Sequence, residues 1–196
     1  SVLNAAFGIQ VETDGDVVLA DFNQFEAGAF ATSPMASAGA ARNADVLTYP
    51  TSPWFNATTG AVFSQYLTPG HGAFSAVVNI DDGTLNERIR LGINTDRTAS
   101  FLVADGGVSE PNISTVNSSA AEVTAKSAYA YKTLDFAVCL DGGTVVTYTL
   151  GGTIPTVTTL RVGDSDGGTL QPYRPIRRVA YWNSRLPNAT LQALTA

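Results

Sequence analysis

The sequence is poor in the residues on which nucleophilic catalysis and disulfide scaffolds depend. Its 196 residues include one cysteine, Cys139, and one histidine, His71. A single cysteine excludes an intrachain disulfide, and with it the disulfide-rich scaffold of small secreted domains. A Ser–His–acid triad would require His71, which lies in a Pro-Gly-His-Gly segment typical of an exposed turn. Cys139 has apolar neighbours in a strand-like segment, where a thiol serves as a small hydrophobic side chain.

Charge is scarce as well. Charged residues make up 14% of the chain, and 17 acidic against 11 basic residues give a formal net charge of −6. Nucleic acids and anionic membrane surfaces require a basic face, so we expect neither as a partner. No run approaches the roughly 18–20 apolar residues of a membrane-spanning helix. No basic-then-apolar leader opens the chain, and its start at Ser1 fits either a protein that has lost its initiator methionine or a fragment of a longer one.

Acidic residues are not spaced for glycoside hydrolysis or for a known calcium loop. A glycosidase needs two carboxylates about 5–10 Å apart, whereas Glu87, Glu110 and Glu122 are isolated in the sequence. We therefore predict that the protein is not an enzyme and needs no cofactor. Calcium remains an alternative at Asp81-Asp82-Gly83 and Asp164-Ser-Asp166-Gly167, although neither segment fits the twelve-residue helix-flanked loop and turn chemistry accounts for both.

What the sequence does contain is a period-two alternation of apolar and polar residues from Asp45 onward, the pattern of half-buried strands. Turns of Asp and Gly separate these segments. The segments predicted as strands are Ala61–Leu67, Ala73–Ile80, Glu87–Ile93, Ser100–Ala104, Ala125–Tyr131, Leu134–Leu140, Val145–Leu150, Thr158–Val162 and Arg177–Trp182.

The same alternation predicts which side chains are buried. Arg88 and Arg90 are expected to point away from the core. The residues expected to face the core in Glu87–Ile93 and Leu134–Leu140 are Ile89, Leu91, Ile93, Leu134, Phe136, Val138 and Leu140. In the segment Ala73–Ile80, the residues expected to share one side are Phe74, Ala76, Val78 and Ile80.

Strands at this spacing, without long helices, predict an all-β, two-sheet antiparallel sandwich, most simply a jelly roll. A short C-terminal helix is expected over Asn188–Leu194, because Pro187 is acceptable where a helix begins. Leu191 and Leu194 would dock it on the sandwich. Residues 1–40 are predicted to form a strand at Asp16–Phe22 followed by an extended arm, and residues 41–196 the sandwich domain.

Aromatic residues in loops and on outward strand positions are the candidate ligand-binding residues. Sugars bind by stacking their C–H faces on flat rings while amides and carboxylates bind the hydroxyls. Trp54 lies in a Pro-bounded loop, Tyr173 in a Pro-rich loop and Trp182 in the last strand, beside Tyr181. We predict a carbohydrate-binding role for Trp54, Tyr173 and Trp182, with burial in the core as the alternative for each.

A C-terminal block resembles a known family. Residues 176–195, Ile-Arg-Arg-Val-Ala-Tyr-Trp-Asn-Ser-Arg-Leu-Pro-Asn-Ala-Thr-Leu-Gln-Ala-Leu-Thr, resemble the closing strand and helix of lectin-like jelly-roll domains in bacteriophage tail and other virion proteins, the concanavalin A-like and laminin G-like superfamily. Pro187, Asn188 and Thr190 replace the usual Ser, Asp and Glu of the helix start, so its capping box is lost. The likeness covers about residues 40–196 and continues through 160–164, 140–143, 130–137, 101–107, 54–60 and 42–46.

The resemblance implies a non-enzymatic virion protein that binds host-surface glycans. It also implies other virion proteins as partners and a location on the extracellular particle after production in the bacterial cytoplasm. Two alternatives remain: a purely structural decoration or tail subunit, and a cellular carbohydrate-binding module. The family shares no catalytic signature.

Charge asymmetry predicts self-association. Glu12–Glu26 carries five acids and no base, whereas Arg161–Arg185 carries five arginines against Asp164 and Asp166. An acidic arm on the basic edge of a second copy would give a head-to-tail homo-oligomer. The alternative is that each charge set is solvated independently.

Overall fold

The computed structural model describes residues 46–70, 73–165, 170–172 and 174–196. These residues form eleven strands and one helix. The bounds are β1 Leu47–Pro50, β2 Thr59–Leu67, β3 Ser75–Asp81, β4 Arg88–Ile93, β5 Thr98–Asp105, β6 Val108–Ser118, β7 Thr124–Lys132, β8 Phe136–Leu140, β9 Val146–Tyr148, β10 Thr159–Val162, β11 Ile176–Trp182 and α1 Asn188–Thr195. The predicted strand at Asp16–Phe22, the arm and the boundary at residue 40 lie outside the described residues.

The strands form two antiparallel sheets. The order is β1-β10-β3-β4-β5-β6 in the six-stranded sheet and β11-β2-β7-β8-β9 in the five-stranded sheet. Neighbours in space are therefore often distant in sequence, as in β10 beside β3. This arrangement confirms the predicted all-β jelly-roll sandwich with a short C-terminal helix.

The main core lies between the sheets and follows the alternation in the sequence. The predicted core residues Ile89, Leu91, Phe136, Val138 and Leu140 are fully buried there. Their ladder partners extend the same layer, since directly opposed residues share a face of the sheet.

A second apolar cluster lies on the other face of the five-stranded sheet. Helix α1 covers it, with Leu191 fully buried and Leu194 packed beside it, as predicted. Cys139 points into this cluster, and burial raises the pKa of its thiol. At eight residues α1 is too short to cross a membrane, and no longer apolar helix occurs in the described part of the chain.

Two predictions of orientation were wrong. Leu134 is 54% exposed rather than inward, because it occupies a tight turn between β7 and β8 with a φ of +59°. Phe74 does not share the core side of Val78. A β-bulge shifts the register between Ala76 and Val78, and both Val77 and Val78 reach the core. The alternation is therefore reversed before the bulge, and Phe74 lies on the side away from the core.

Candidate functional site

The outer face of the six-stranded sheet, the face turned away from the core, carries a row of residues that are polar except for Leu102. Ladder pairs place one residue from each strand in this row. In spatial order they are Thr48, Arg161, Asn79, Arg90, Leu102 and Asn112. Arg88 belongs to the next row, opposite Asp81. We call the part of this surface formed by Arg88, Arg90, Arg161 and Phe74 the arginine face.

Arg161 is held rigidly on this face by buried acids. Its Nε lies 2.8 Å from Oδ2 of Asp81, and its Nη1 lies 3.6 Å from Oδ2 of Asp164. Asp81 is 1% exposed and Asp164 fully buried. Asp81 also accepts hydrogen bonds from the Asn79 side chain and from the backbone N–H of Gly83. A guanidinium paired in this way contributes mainly to the structure of the face.

Arg90 differs from Arg161 because nothing in the described chain neutralises it. Its guanidinium is half-buried and lies 4.5 Å from the centre of the Phe74 ring. No described residue forms an ion pair with it or hydrogen-bonds its Nε. Burial, followed by the nearby positive charge of Arg88, lowers the pKa of Arg90 to about 10. The guanidinium is still protonated at neutral pH. A half-buried cation of this kind favours the binding of an anion.

Phe74 is placed on the arginine face by a glycine. A Cβ atom at Gly92 would come within 2.3 Å of Cζ of Phe74 and 2.9 Å of the backbone oxygen of Ser75. Any larger residue at this position would push the ring away. Arg90 and Phe74 therefore form a cation–aromatic pair supported by the sheet beneath them.

This arrangement can bind a ligand that is anionic at one end and apolar on one face. A guanidinium fork matches a carboxylate bidentately. An aromatic ring packs against the C–H face of a sugar. Arg90 stands on β4, and strands hold side chains more precisely than loops do, whereas Phe74 directly precedes β3.

Trp54 and Trp182, two of the predicted carbohydrate-binding residues, lie on opposite faces of the five-stranded sheet. Trp54 packs edge-on against Tyr181 at 4.7 Å between ring centres, towards the main core, and its indole N–H donates to the carbonyl of Pro50 at 2.6 Å. Trp182 packs against the cluster covered by α1, beside Leu194. Both side chains are half-buried. Tyr173 lies outside the described residues.

One buried and one half-buried tyrosine anchor the loop that carries Trp54. The hydroxyl of Tyr131 donates to the carbonyl of Asn56 at 2.8 Å, and the backbone N–H of Asn56 donates to the Tyr181 hydroxyl at 2.7 Å. The two hydroxyls lie 3.1 Å apart. Burial raises the pKa of Tyr131, so its hydroxyl stays protonated. The Trp54 ring is thus part of a packed aromatic cluster.

The acids considered for calcium have other partners in the structure. Arg161 lies between Asp81 and Asp164. Oδ1 of Asp82 accepts hydrogen bonds from the N–H and hydroxyl of Thr84, which is turn chemistry. Among the described residues, no group of three or more His, Cys, Asp and Glu side chains is placed to hold a metal ion. Asp166 and His71 lie outside the described residues.

Much of the basic edge predicted from the sequence is neutralised within the chain. Arg174 pairs with Glu122 at 2.9 Å and Arg185 with Asp135 at 2.8 Å, in addition to the acids around Arg161. Arg177 and Arg178 on β11 are exposed. Self-association through this edge remains a prediction.

The pairing of Phe74 with Arg90 was missed by the sequence analysis. The alternation correctly turned Arg88 and Arg90 outward, which was one available signal. The bulge that brings Phe74 to the same face has no marker in the sequence. Gly92, an isolated glycine within a strand, was a second signal, because such a glycine often marks a close approach.

No family model matches the sequence, and no curated protein sequence is significantly similar to it. Solved structures do share its fold. The CBM40 of the Ruminococcus gnavus IT-sialidase bound to α2,3-sialyllactose superposes with a TM-score of 0.64 at 14% identity, covering 79% of this chain and 96% of that one. A heptameric SAP-like pentraxin from Limulus polyphemus gives 0.53 at 13% identity, covering 73% of each chain.

Whole enzymes also contain the fold. The NanB sialidase of Streptococcus pneumoniae gives a TM-score of 0.61 at 10% identity, and the match covers 81% of this chain but only 28% of the enzyme. At such low identities the TM-scores establish a shared jelly-roll sandwich fold. The structures named here are not virion proteins, and the virion context stays a prediction from the sequence.

Proposed function

We propose that the protein is a non-catalytic, lectin-like module that binds a glycan carrying a carboxylated sugar, and that the arginine face is its binding site. The observation that carries this proposal is Arg90, a half-buried guanidinium that lies over Phe74 and has no counter-ion among the described residues. A carboxylate at this point would supply the missing negative charge.

Each residue of the arginine face would make a different contribution to binding. Arg90 would grip the carboxylate, and Arg88, on the same face, would add to the positive field. Phe74 would pack against the apolar face of the sugar ring. Arg161, fixed by Asp81, would hold the floor of the face without moving when ligand binds.

Structural neighbours support the choice of ligand class. One of them is a sialidase CBM40 solved with α2,3-sialyllactose and another is the same module with α2,6-sialyllactose. Sialic acid carries a carboxylate, which could pair with the guanidinium of Arg90. We therefore take sialylated glycans as the first ligands to test, and a cellular carbohydrate-binding module as the class of protein.

Trp54 and Trp182 remain a second candidate for sugar stacking because both rings are partly exposed. Replacing each by alanine separates the two roles. Loss of glycan affinity at an unchanged melting temperature supports a binding role, whereas loss of stability with unchanged affinity assigns the ring to packing.

A glycan array tests the proposal. Purified protein should bind glycans that end in a carboxylated sugar and not their neutral counterparts. Removing the Arg90 charge should weaken binding about 10- to 100-fold, the range for a lost charge-assisted hydrogen-bonded contact. Equal binding to neutral glycans, or none to any carboxylated glycan, would refute it.

A further inference from the structure

We infer that the binding site extends across β5 onto β6, where Asn112 and Ser114 bind a neutral sugar joined to the acidic one. This inference rests on the proposed function. It names a second subsite and gives the bound glycan a direction across the strands.

The outer face changes from cationic to neutral along the ladder. Beyond Arg90 the paired positions are Leu102 on β5 and Asn112 on β6. The next row continues from Gly92 through Ser100 to Ser114. None of these β5 and β6 positions is charged, so this part of the face favours neither an anion nor a cation. Amides and hydroxyls are instead the groups that recognise sugar hydroxyls.

Asn112 is available to a ligand. It is exposed, and no described residue hydrogen-bonds its carboxamide. The side chain lies on the outer face because its strand neighbour Ile113 packs against the core. A carboxamide can donate and accept at once, which suits two neighbouring hydroxyl groups.

Ser114 is held in place for the same role. The side-chain amide of Asn94 donates to Oγ of Ser114 at 2.9 Å and to Oγ1 of Thr98 at 2.9 Å. Because Ser114 accepts this bond, its own hydroxyl hydrogen can be donated to a ligand. The exposed Ser114 and Asn112 thus lie on the same face of one edge strand, with the serine held by Asn94.

The spacing decides which ligand can reach both subsites. Asn112 is two strands away from Arg90, a separation of about 10 Å. A single sugar ring bound at Arg90 does not reach β6, whereas a linked second or third ring does. Leu102, which is buried, is paired with both Arg90 and Asn112 and so separates the two subsites. A sialylated oligosaccharide should therefore bind more tightly than free sialic acid.

Isothermal titration calorimetry with sialic acid and with 3′-sialyllactose tests the inference. Asn112→Ala should weaken binding of the trisaccharide about 3- to 10-fold, the range for one lost neutral hydrogen bond, and leave binding of the monosaccharide unchanged. Ser114→Ala should act in the same way. Asn183→Ala, which removes an exposed carboxamide elsewhere, is the matched control and should change neither.

The outcomes separate the two proposals. If the wild-type protein binds both ligands equally and Asn112→Ala changes neither affinity, the subsite on β6 is overturned while the arginine face stands. If Asn112→Ala weakens both ligands to the same degree, the proposed direction of the glycan is overturned. If the wild-type protein binds neither ligand, the proposed function and the inference fail together.

Discussion

Phe136→Ala tests the register of the sandwich. Phe136 is fully buried in the main core, 6.3 Å from the ring centre of Phe101, and it packs so closely on Gly152 that a Cβ there would lie 2.8 Å from its Cε2. Close packing on several sides leaves little room for collapse, so removing the ring should cost about 3–5 kcal/mol. At roughly 2–4 °C per kcal/mol, the melting temperature should fall by about 6–20 °C.

Urea unfolding followed by far-UV circular dichroism measures this cost. The slope of the free energy against urea should stay the same, because the variant exposes a similar surface when it unfolds. Leu134→Ala is the matched control, since Leu134 lies two residues earlier but is exposed, and its effect should stay within about 0.5 kcal/mol. A Phe136→Ala protein within about 1 kcal/mol of the wild type, or equal effects of the two substitutions, would refute the assigned register.

Three further substitutions test the arginine face. Arg90→Met keeps the packing of the stem and removes a group that is charged at pH 7 and has no ion-pair partner among the described residues. In urea the substitution should therefore stabilise the unliganded protein by about 1 kcal/mol after allowance for solvent screening, and destabilisation would contradict this. Arg161→Met leaves the buried carboxylate of Asp81 unpaired and should cost about 3–5 kcal/mol in the same assay, so an unchanged midpoint would show that the pair contributes little. Gly92→Ala displaces the Phe74 ring and should weaken binding of sialyllactose about 2- to 10-fold by calorimetry with an intact far-UV spectrum; unchanged affinity would remove Phe74 from the site.

Local alternation predicted nine of the strands but not β1 or β6. β1 has four residues and ends at Pro50, which leaves too little pattern to detect. β6 contains Pro111 and many polar residues, because it is an edge strand with an exposed face. Proline is tolerated on an edge, where its missing N–H interrupts no ladder.

The contacts that define the site lie beyond the reach of local patterns. Arg161 and Asp81 are 80 residues apart, and the Tyr181 hydroxyl meets the loop of Asn56 across 125 residues. Such pairs follow from the order of strands in the sheets, which alternation does not specify. A one-residue bulge before Val78 was enough to move Phe74 from the predicted core side to the outer face.

The most direct test of the arginine face is calorimetric titration of wild type, Arg90→Met and Arg178→Met with 3′-sialyllactose and with lactose. Arg178 is the matched control because its guanidinium also lies over a phenylalanine ring, Phe63, at 5.7 Å, but on the five-stranded sheet and exposed. We expect the wild type and Arg178→Met to bind 3′-sialyllactose equally and lactose not at all, and Arg90→Met to lose about 10- to 100-fold in affinity. Wild-type affinity in Arg90→Met, or a comparable loss in Arg178→Met, would contradict the assignment of the glycan site to this face.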